Sequence, residues 1–251
     1  MADMSLIRMG LRRLWAYSPW NKQKLIRNGK RFAWSDNCVV TAYPTFERKE
    51  DRRVKVSERT YEYYWTLRWL NERLMRNDNI IDIGGAGSFL PPAMAALGFN
   101  VTTVDVRRWN VDIGGLTTLR REVSGLMLGQ FDACTCISTL EHIGLGRYGD
   151  PKEINGDYNA LDAIYGVLKP GGVLILSVPF GHAGIAYDAH RVYDNERLNR
   201  MLDRFDIEEY MFHAPNESGD YIPLAKVPET STNDRPGIIT VFARKPIMES
   251  E

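Results

Sequence analysis

Apolar residues along this chain fall into short runs closed by glycine-rich or polar turns, and these runs alternate with longer stretches where apolar positions recur at helical spacing. Residues 80–83, 101–104, 131–137, 173–178, 207–212 and 237–243 each have the length and apolar density of a strand. Residues 57–75 are predicted to form a helix: Ser57 suits an N-cap, and Tyr61, Tyr64, Trp65, Arg68 and Trp69 share one helical stripe. Leu161, Ile164, Tyr165 and Leu168 predict another helix, ended by the run Lys169-Pro-Gly-Gly172, and residues 195–205 predict a third. Strands that alternate with helices imply an α/β architecture with helices on both faces of a largely parallel sheet. Residues 37–53 carry Pro44, many charges and little periodicity, so they read as a connection. Residues 213–236 are long for a hairpin, and loops of that size are often functional; this one is a candidate specificity loop or a surface flap.

The first strand runs directly into Gly84-Gly-Ala-Gly-Ser88, and the second strand closes on Asp105. Strand, tight glycine turn, helix, strand and acidic tip form the first half of a nucleotide-binding unit. The glycines let backbone approach a ligand, and a carboxylate at the second tip accepts hydrogen bonds from ribose hydroxyls. The dinucleotide spacing G-x-G-x-x-G fails here: counted from Gly84, its later glycines fall on Ala86 and Phe89. The lysine and hydroxyl of a phosphate-cradling loop are also absent. An adenosine-containing ligand that is not a dinucleotide is therefore expected.

The sequence Asp82-Ile-Gly-Gly-Ala-Gly-Ser88 resembles motif I of class I S-adenosylmethionine (SAM) methyltransferases, with Ala86 and Ser88 in place of two of the usual glycines. Further pieces follow in that superfamily's order: Phe131-Asp, Leu140-Glu-His-Ile143, and Val167-Leu-Lys-Pro-Gly-Gly-Val-Leu-Ile-Leu-Ser-Val-Pro179. The match spans residues 58–246. Ser57-Glu-Arg with Glu62-Tyr, the loop after Gly84, and the stretch from His142 to Pro151 also resemble a little-characterised bacterial group associated with glycan or secondary-metabolite pathways. The resemblance implies a Rossmann-like, seven-stranded mixed sheet whose last two strands form an antiparallel pair at one edge. It divides the chain into an N-terminal extension, residues 1–56, and a methyltransferase domain, residues 57–251. It also implies SAM as cofactor. Asp82, Gly84, Gly85, Ala86 and Gly87 would lie at the methionine moiety and Asp105 with Val106 at the ribose. Asp112 and Ile113, after a short third strand, would meet the adenine, and Ser138 would complete the cofactor site.

The apolar content of 44% over 251 residues supports a full core. No apolar run approaches the ~20 residues of a membrane helix, and no signal-peptide pattern opens the sequence. Three cysteines make no disulfide framework; Cys134 and Cys136 share one face of a strand and read as packing, consistent with a reducing, cytoplasmic setting. The zero net charge hides an asymmetry. Residues 1–78 hold 17 basic against 9 acidic side chains, and the remainder 15 against 23. Within the first 34 residues, Ile7, Leu11, Leu14 and Trp15 form an apolar stripe flanked by Arg8, Arg12 and Arg13. That segment can pack on the domain or across a homodimer, lie on an anionic membrane surface, or attract nucleic acid or a phosphorylated substrate.

Methyl transfer from a sulfonium is an in-line displacement, so positioning carries much of the catalysis and a hydroxyl acceptor gains further from a general base. All four histidines follow strands, where an open α/β sheet places its ligands. His142 and His182 are the candidate bases, and Glu141 either orients His142, positions the methionine amino group, or simply packs its turn. A metal is not expected, since Ser138 stands where related O-methyltransferases carry an acid ahead of the Glu-His pair. Arg147, Tyr148, His190, Arg191 and Tyr193 are candidate contacts to an anionic or polyhydroxylated substrate, or members of a salt-bridged loop. The expected function is O-methylation of a small polar molecule, a sugar or natural product. An N- or macromolecule methyltransferase and a non-catalytic SAM-binding subunit are the alternatives. The D/N-P-P-Y motif of nucleic-acid amino methyltransferases is absent after the fourth strand.

Overall fold

The structure is a computed structural model that describes residues 56–186, 190–225 and 236–247. The basic segment at residues 1–55 and part of the long connection, residues 226–235, lie outside the described residues. The elements in chain order are α1 (Glu58–Arg73), β1 (Asn79–Ile83), α2 (Leu90–Leu97), β2 (Asn100–Asp105), β3 (Leu116–Arg120) and β4 (Phe131–Ile137). A 3₁₀ turn (Leu140–His142) leads to α3 (Gly156–Val167), β5 (Leu168–Phe180), β6 (Gly184–Ala186), β7 (His190–Val192), α4 (Asn195–Met201), β8 (Asp206–Pro215), β9 (Tyr221–Leu224) and β10 (Gly237–Arg244).

One eight-stranded sheet has the order β3-β2-β1-β4-β5-β10-β8-β9, and β6 and β7 form a separate antiparallel pair. Strands β3, β2, β1, β4 and β5 are parallel; β10 runs antiparallel to both β5 and β8. The predicted count of seven is corrected to eight. Strand β9 adds to β8 from inside the stretch read as a loop, so the β8–β10 pair is not the sheet edge. Four residues interrupted by Pro223 are too short a run to announce a strand, and proline is tolerated there because edge positions leave an N–H unpaired.

The strands buried on both faces are continuous apolar runs, as β1, β4 and β5 show. On one face, Leu161, Ile164 and Val167 of α3 and Leu198 and Met201 of α4 pack on Ile81, Ile83, Cys134, Cys136, Leu174 and Leu176. On the other, Trp69 and Leu70 of α1 and Leu90 and Met94 of α2 pack on Ile80, Val101, Ala133, Ile175 and Phe242. Both strand cysteines are buried free thiols in that core. The Lys169–Gly172 run, expected to separate helix from strand, lies inside β5. There Gly171 takes φ 76° and the pairing with β4 shifts register between Phe131 and Ala133, a bulge rather than a gap.

The buried face of α1 differs from the aromatic stripe read in the sequence. Glu62, Thr66, Trp69 and Leu70 point inward, whereas Tyr64 is 55% exposed and Arg68 pairs outward with Glu72. A helix that buries a glutamate and a threonine ahead of its tryptophan has a polar task at that end, and this end faces the cleft. No helix among the described residues is long and apolar enough to cross a membrane.

Candidate functional site

Strand order reverses between β1 and β4, because the chain leaves β1 for β2 and β3 and returns on the other side. Ligands of open α/β sheets bind in the crevice outside the strand ends at such a point. A cleft of about 470 Å³ opens there, lined by the loop after β1, the tips of β2 and β4, the segment after β3, α1 and the loop after the 3₁₀ turn. Its size suits a nucleoside-sized ligand.

The glycine loop is shaped by contacts no other residue would permit. Gly84 has φ 79°, and a Cβ there would lie 2.2 Å from the Thr139 methyl; a Cβ on Gly85 would lie 1.8 Å from Asp82 Oδ2. Backbone is thus held against β4's exit and against the Asp82 carboxyl. Asp82 is buried, accepts 2.7 and 3.4 Å bonds from the Thr135 and Thr103 hydroxyls, and is raised by burial to about 7. A carboxyl placed beneath a loop in this way orders the loop first. Asp105, at the tip of β2, accepts Ala86 N–H at 3.0 Å and Arg107 N–H at 2.8 Å, with the Arg107 guanidinium at 2.7 and 3.0 Å. Val106 lines the same wall.

At the tip of β4, Ser138 adopts φ 41°, a left-handed conformation that costs a non-glycine residue energy and is held only where the surroundings enforce it. The enforcement is visible. Ser138 N–H bonds the Ser177 carbonyl and hydroxyl at 3.1 and 3.0 Å, and its own hydroxyl donates to Glu62 Oε1 at 2.6 Å. Ser177 donates to the same oxygen at 2.6 Å, and Glu62 Oε2 pairs with Arg59 at 2.7 Å. Glu62 therefore ties α1 to β4 and β5 directly behind the cleft, while Arg59, one helical turn before it, and Tyr63, the next residue, line it. The Tyr63 hydroxyl lies 2.9 Å from Ser88 Oγ, which fastens α1 to the glycine loop.

His142 lines the cleft, and its ring stands edge-on to Tyr148 at 5.6 Å and to His190 at 6.1 Å. Glu141 is buried behind it, 3.7 Å from His142 Nε2, too far for a hydrogen bond, and burial raises its carboxyl to about 8. At neutral pH Glu141 is thus mostly protonated, and its Oε2 makes no hydrogen bond to the described residues. The loop from Ile143 to Ile154 is held from both sides. Asp150 accepts the N–H groups of Gly144, Gly146 and Tyr148, and Arg191 donates to the carbonyls of Ile143, Glu153 and Ile154.

Several predicted residues stand elsewhere. Arg191 is 1% exposed and Tyr193 fully buried, with Arg191 Nε and the Tyr193 hydroxyl directed to Asp157 at 3.6 and 3.1 Å. These two are corrected from substrate contacts to the internal brace of the 143–154 loop. Asp112 and Ile113 precede β3 rather than follow it and do not line the cleft; Arg121, Glu122, Val123 and Ser124, past the end of β3, take that place. His182 is exposed, and Arg147 within the loop and His190 beside it do not line the cleft, with burial and the nearby Arg147 charge holding His190 below the ordinary imidazole value. Among the described residues no cluster of His, Cys, Asp or Glu could hold a metal ion.

Sequence reasoning missed Arg59, Tyr63 and the segment at 121–124. The signal for the first two was present: residues 59, 62, 63 and 66 lie at i, i+3, i+4 and i+7, a helical face that is polar rather than apolar. Val123, a lone apolar residue among charged neighbours and buried here, marked the third.

The chain resembles solved methyltransferases over most of its length. A Methanosarcina mazei SAM-dependent methyltransferase superposes with a TM-score of 0.52 at 16% identity, over 71% of this chain and 97% of the other. A Burkholderia thailandensis 1,6-didemethyltoxoflavin-N1-methyltransferase with bound S-adenosylhomocysteine gives 0.53 at 16%, over 74% and 78%. In sequence, the ubiquinone biosynthesis O-methyltransferase of Pseudomonas aeruginosa (strain UCBPP-PA14) is 30% identical over 61% of this chain and 66% of its own length. That of Psychrobacter arcticus is 33% identical over 55% and 54%. The chain thus covers less than two thirds of these curated relatives. Residues 122–227 also match a family described as Caenorhabditis protein of unknown function, DUF268. The sheet order, the glycine loop and the acid after β2 define a class I methyltransferase fold. In fold and in sequence the chain is similar to the class I SAM-dependent methyltransferases.

Proposed function

We propose that this protein is a SAM-dependent O-methyltransferase acting on a hydroxyl of a small polar molecule. The observation that carries the reading is the convergence, in one cleft, of a backbone cradle at Gly84–Gly87, the Asp105 carboxylate and the His142 imidazole. The residues fit an adenosine-bearing cofactor. A Cβ would fill the cradle at Gly84 and Gly85, the Asp105 oxygens suit a vicinal diol, and Val123 and Trp109 offer apolar surface for a base. When bound, SAM supplies an electrophilic methyl group.

The chain's own residues do the rest. Asp105 and the loop N–H groups hold the nucleoside, and the Arg59 guanidinium, fixed by Glu62, is placed to bind a carboxylate at the methionine end. Tyr63 closes the cleft from α1 against Ser88. His142 faces the space bounded by Ser138, Thr139 and Tyr148, where it can take a proton from an acceptor hydroxyl. Glu141, whose carboxyl burial raises to about 8, lies 3.7 Å from His142 Nε2 and lends it little negative charge at neutral pH. The names of the curated relatives support O-methylation, and the cleft of about 470 Å³ supports a small acceptor.

Calorimetry with SAM and S-adenosylhomocysteine, followed by turnover against hydroxylated aromatic and sugar acceptors, tests this reading. Binding of neither compound overturns the cofactor assignment. Turnover of amines but not hydroxyls overturns the O-methyl assignment.

A further inference from the structure

The hydrogen bonds around Asp105 leave no room for a ribose without a rearrangement. A carboxylate offers about four acceptor positions. Oδ2 accepts Ala86 N–H and the Arg107 Nη2, and Oδ1 accepts the Arg107 N–H and Nε. Two of the four are backbone bonds that shape the glycine loop and the β2 exit. The other two belong to the Arg107 guanidinium, whose side chain is 46% exposed and so can move. A ribose diol on Asp105 therefore takes the two positions that Arg107 now occupies.

The guanidinium already lies beside its alternative partner. Arg107 Cζ is 5.2 Å from the centre of the Tyr148 ring, and Arg147 Cζ is 5.4 Å from the same ring. Tyr148 is 43% exposed on the cleft wall that carries His142, and its backbone is pinned by Asp150. Guanidiniums bind aromatic faces and planar or tetrahedral anions well. We propose that Arg107 is an acceptor-binding residue armed by the cofactor. It leaves Asp105 when ribose hydroxyls replace it, keeps its contact with Tyr148, and with Arg147 forms a site for a carboxylate or phosphate group on the methyl acceptor. This rests on the cofactor reading above, and it adds a substrate class, an anionic acceptor, and an order, cofactor before acceptor.

Two measurements on the full-length protein test it. The first is S-adenosylhomocysteine affinity by calorimetry. Because Arg107 competes with the ribose, Arg107→Ala tightens binding by about 2- to 5-fold, the scale of a partly exposed ion pair, and Arg107→Lys, which cannot fork onto both oxygens, tightens it less. Weaker binding in Arg107→Ala means that Arg107 holds the cofactor and overturns the proposal. The second is binding of inorganic phosphate and of benzoate, followed by calorimetry, with and without saturating S-adenosylhomocysteine. Wild type binds at least one of the anions several-fold more tightly when the nucleoside is present, and both Arg107→Ala and Arg147→Ala abolish the gain. Anion affinity indifferent to the nucleoside, or a gain that survives Arg107→Ala, overturns it. Failure of wild type to bind S-adenosylhomocysteine at all instead refutes the underlying cofactor reading, so the two failures are separable.

Discussion

Replacing Glu62 tests whether the polar end of α1 is built for the site or merely tolerated. Glu62 is fully buried, with two serine hydroxyls at 2.6 Å on one oxygen and Arg59 at 2.7 Å on the other. Glu62→Ala leaves Ser138 and Ser177 as buried donors without an acceptor. Truncating one member of a buried ionic network costs about 3–5 kcal/mol when its partners stay buried. Arg59 is 30% exposed and can turn to water, so the lower end, about 3 kcal/mol, is expected. For a chain of this size that lowers Tm by roughly 6–12 °C. Glu62→Gln keeps an acceptor for both serines but faces its amide toward Arg59, so it should lose about 1–2 kcal/mol. Both variants should also weaken S-adenosylhomocysteine binding, since Arg59 loses its anchor and Ser138 its reason to hold φ 41°. Urea unfolding and calorimetry read the two effects. Stability of Glu62→Ala within about 0.5 kcal/mol of wild type, the range of an ordinary surface change, would falsify the network as described.

Asp105→Ala should weaken SAM binding by about 1.5–3 kcal/mol, the scale of hydrogen bonds to a charged group, while NAD stays unbound; titration calorimetry decides. His142→Gln should lower kcat by roughly 10²–10⁴ with SAM affinity little changed, as expected for a base that does not hold the cofactor. His213 is 1% exposed, stacks on Tyr61 at 4.1 Å, has both ring nitrogens without hydrogen bonds to the described residues, and is pushed down by burial to about 4. Its folded value lies below the unfolded value near 6.5, so its contribution is whole above about pH 6.5 and is lost as pH falls toward 4, by up to about 3 kcal/mol. Asp82 and Glu141 titrate with the opposite sign, so the quantity to measure is the difference between wild type and His213→Phe in unfolding free energy from pH 7 to 4. A constant difference across that range would remove His213 from the account.

How much of this could be read in the sequence depends on which physical signal each part leaves. The glycine loop and Asp105 were legible because a buried strand, a turn that only small residues can make, and an acid at a strand tip are each local features. Strand β3 left little signal, since it lies at the sheet edge with no fully buried residue, and so Asp112 and Ile113 were placed after it instead of Arg121–Ser124. Arg191 and Tyr193 were misread because residue type alone cannot distinguish a guanidinium waiting for a substrate from one occupied by carbonyls 37 to 48 residues away. The α1 face was missed because helical periodicity was sought in apolar residues, whereas the decisive face carries Arg59, Glu62, Tyr63 and Thr66.

Arg191, Arg59 and Arg107, behind and in this cleft, share one chemistry, and their exposure separates their roles. The Arg191 side chain is 2% exposed beside Asp157 with its other donors on backbone carbonyls, so its every bond is internal and its removal would cost the loop its shape. Arg59 is 30% exposed; one nitrogen is committed to a fully buried glutamate while the side chain still borders the cleft, which suits a residue that must present a fixed charge. Arg107 is 46% exposed on a carboxylate whose remaining bonds are all to backbone, so its pairing is the one that a competing ligand can exchange. An ion pair of that exposure is worth only about 0–1 kcal/mol, far less than the energy two ribose hydroxyls can gain from a buried carboxylate. Charge brought Arg107 to Asp105, but the weakness of that pairing is what makes it useful.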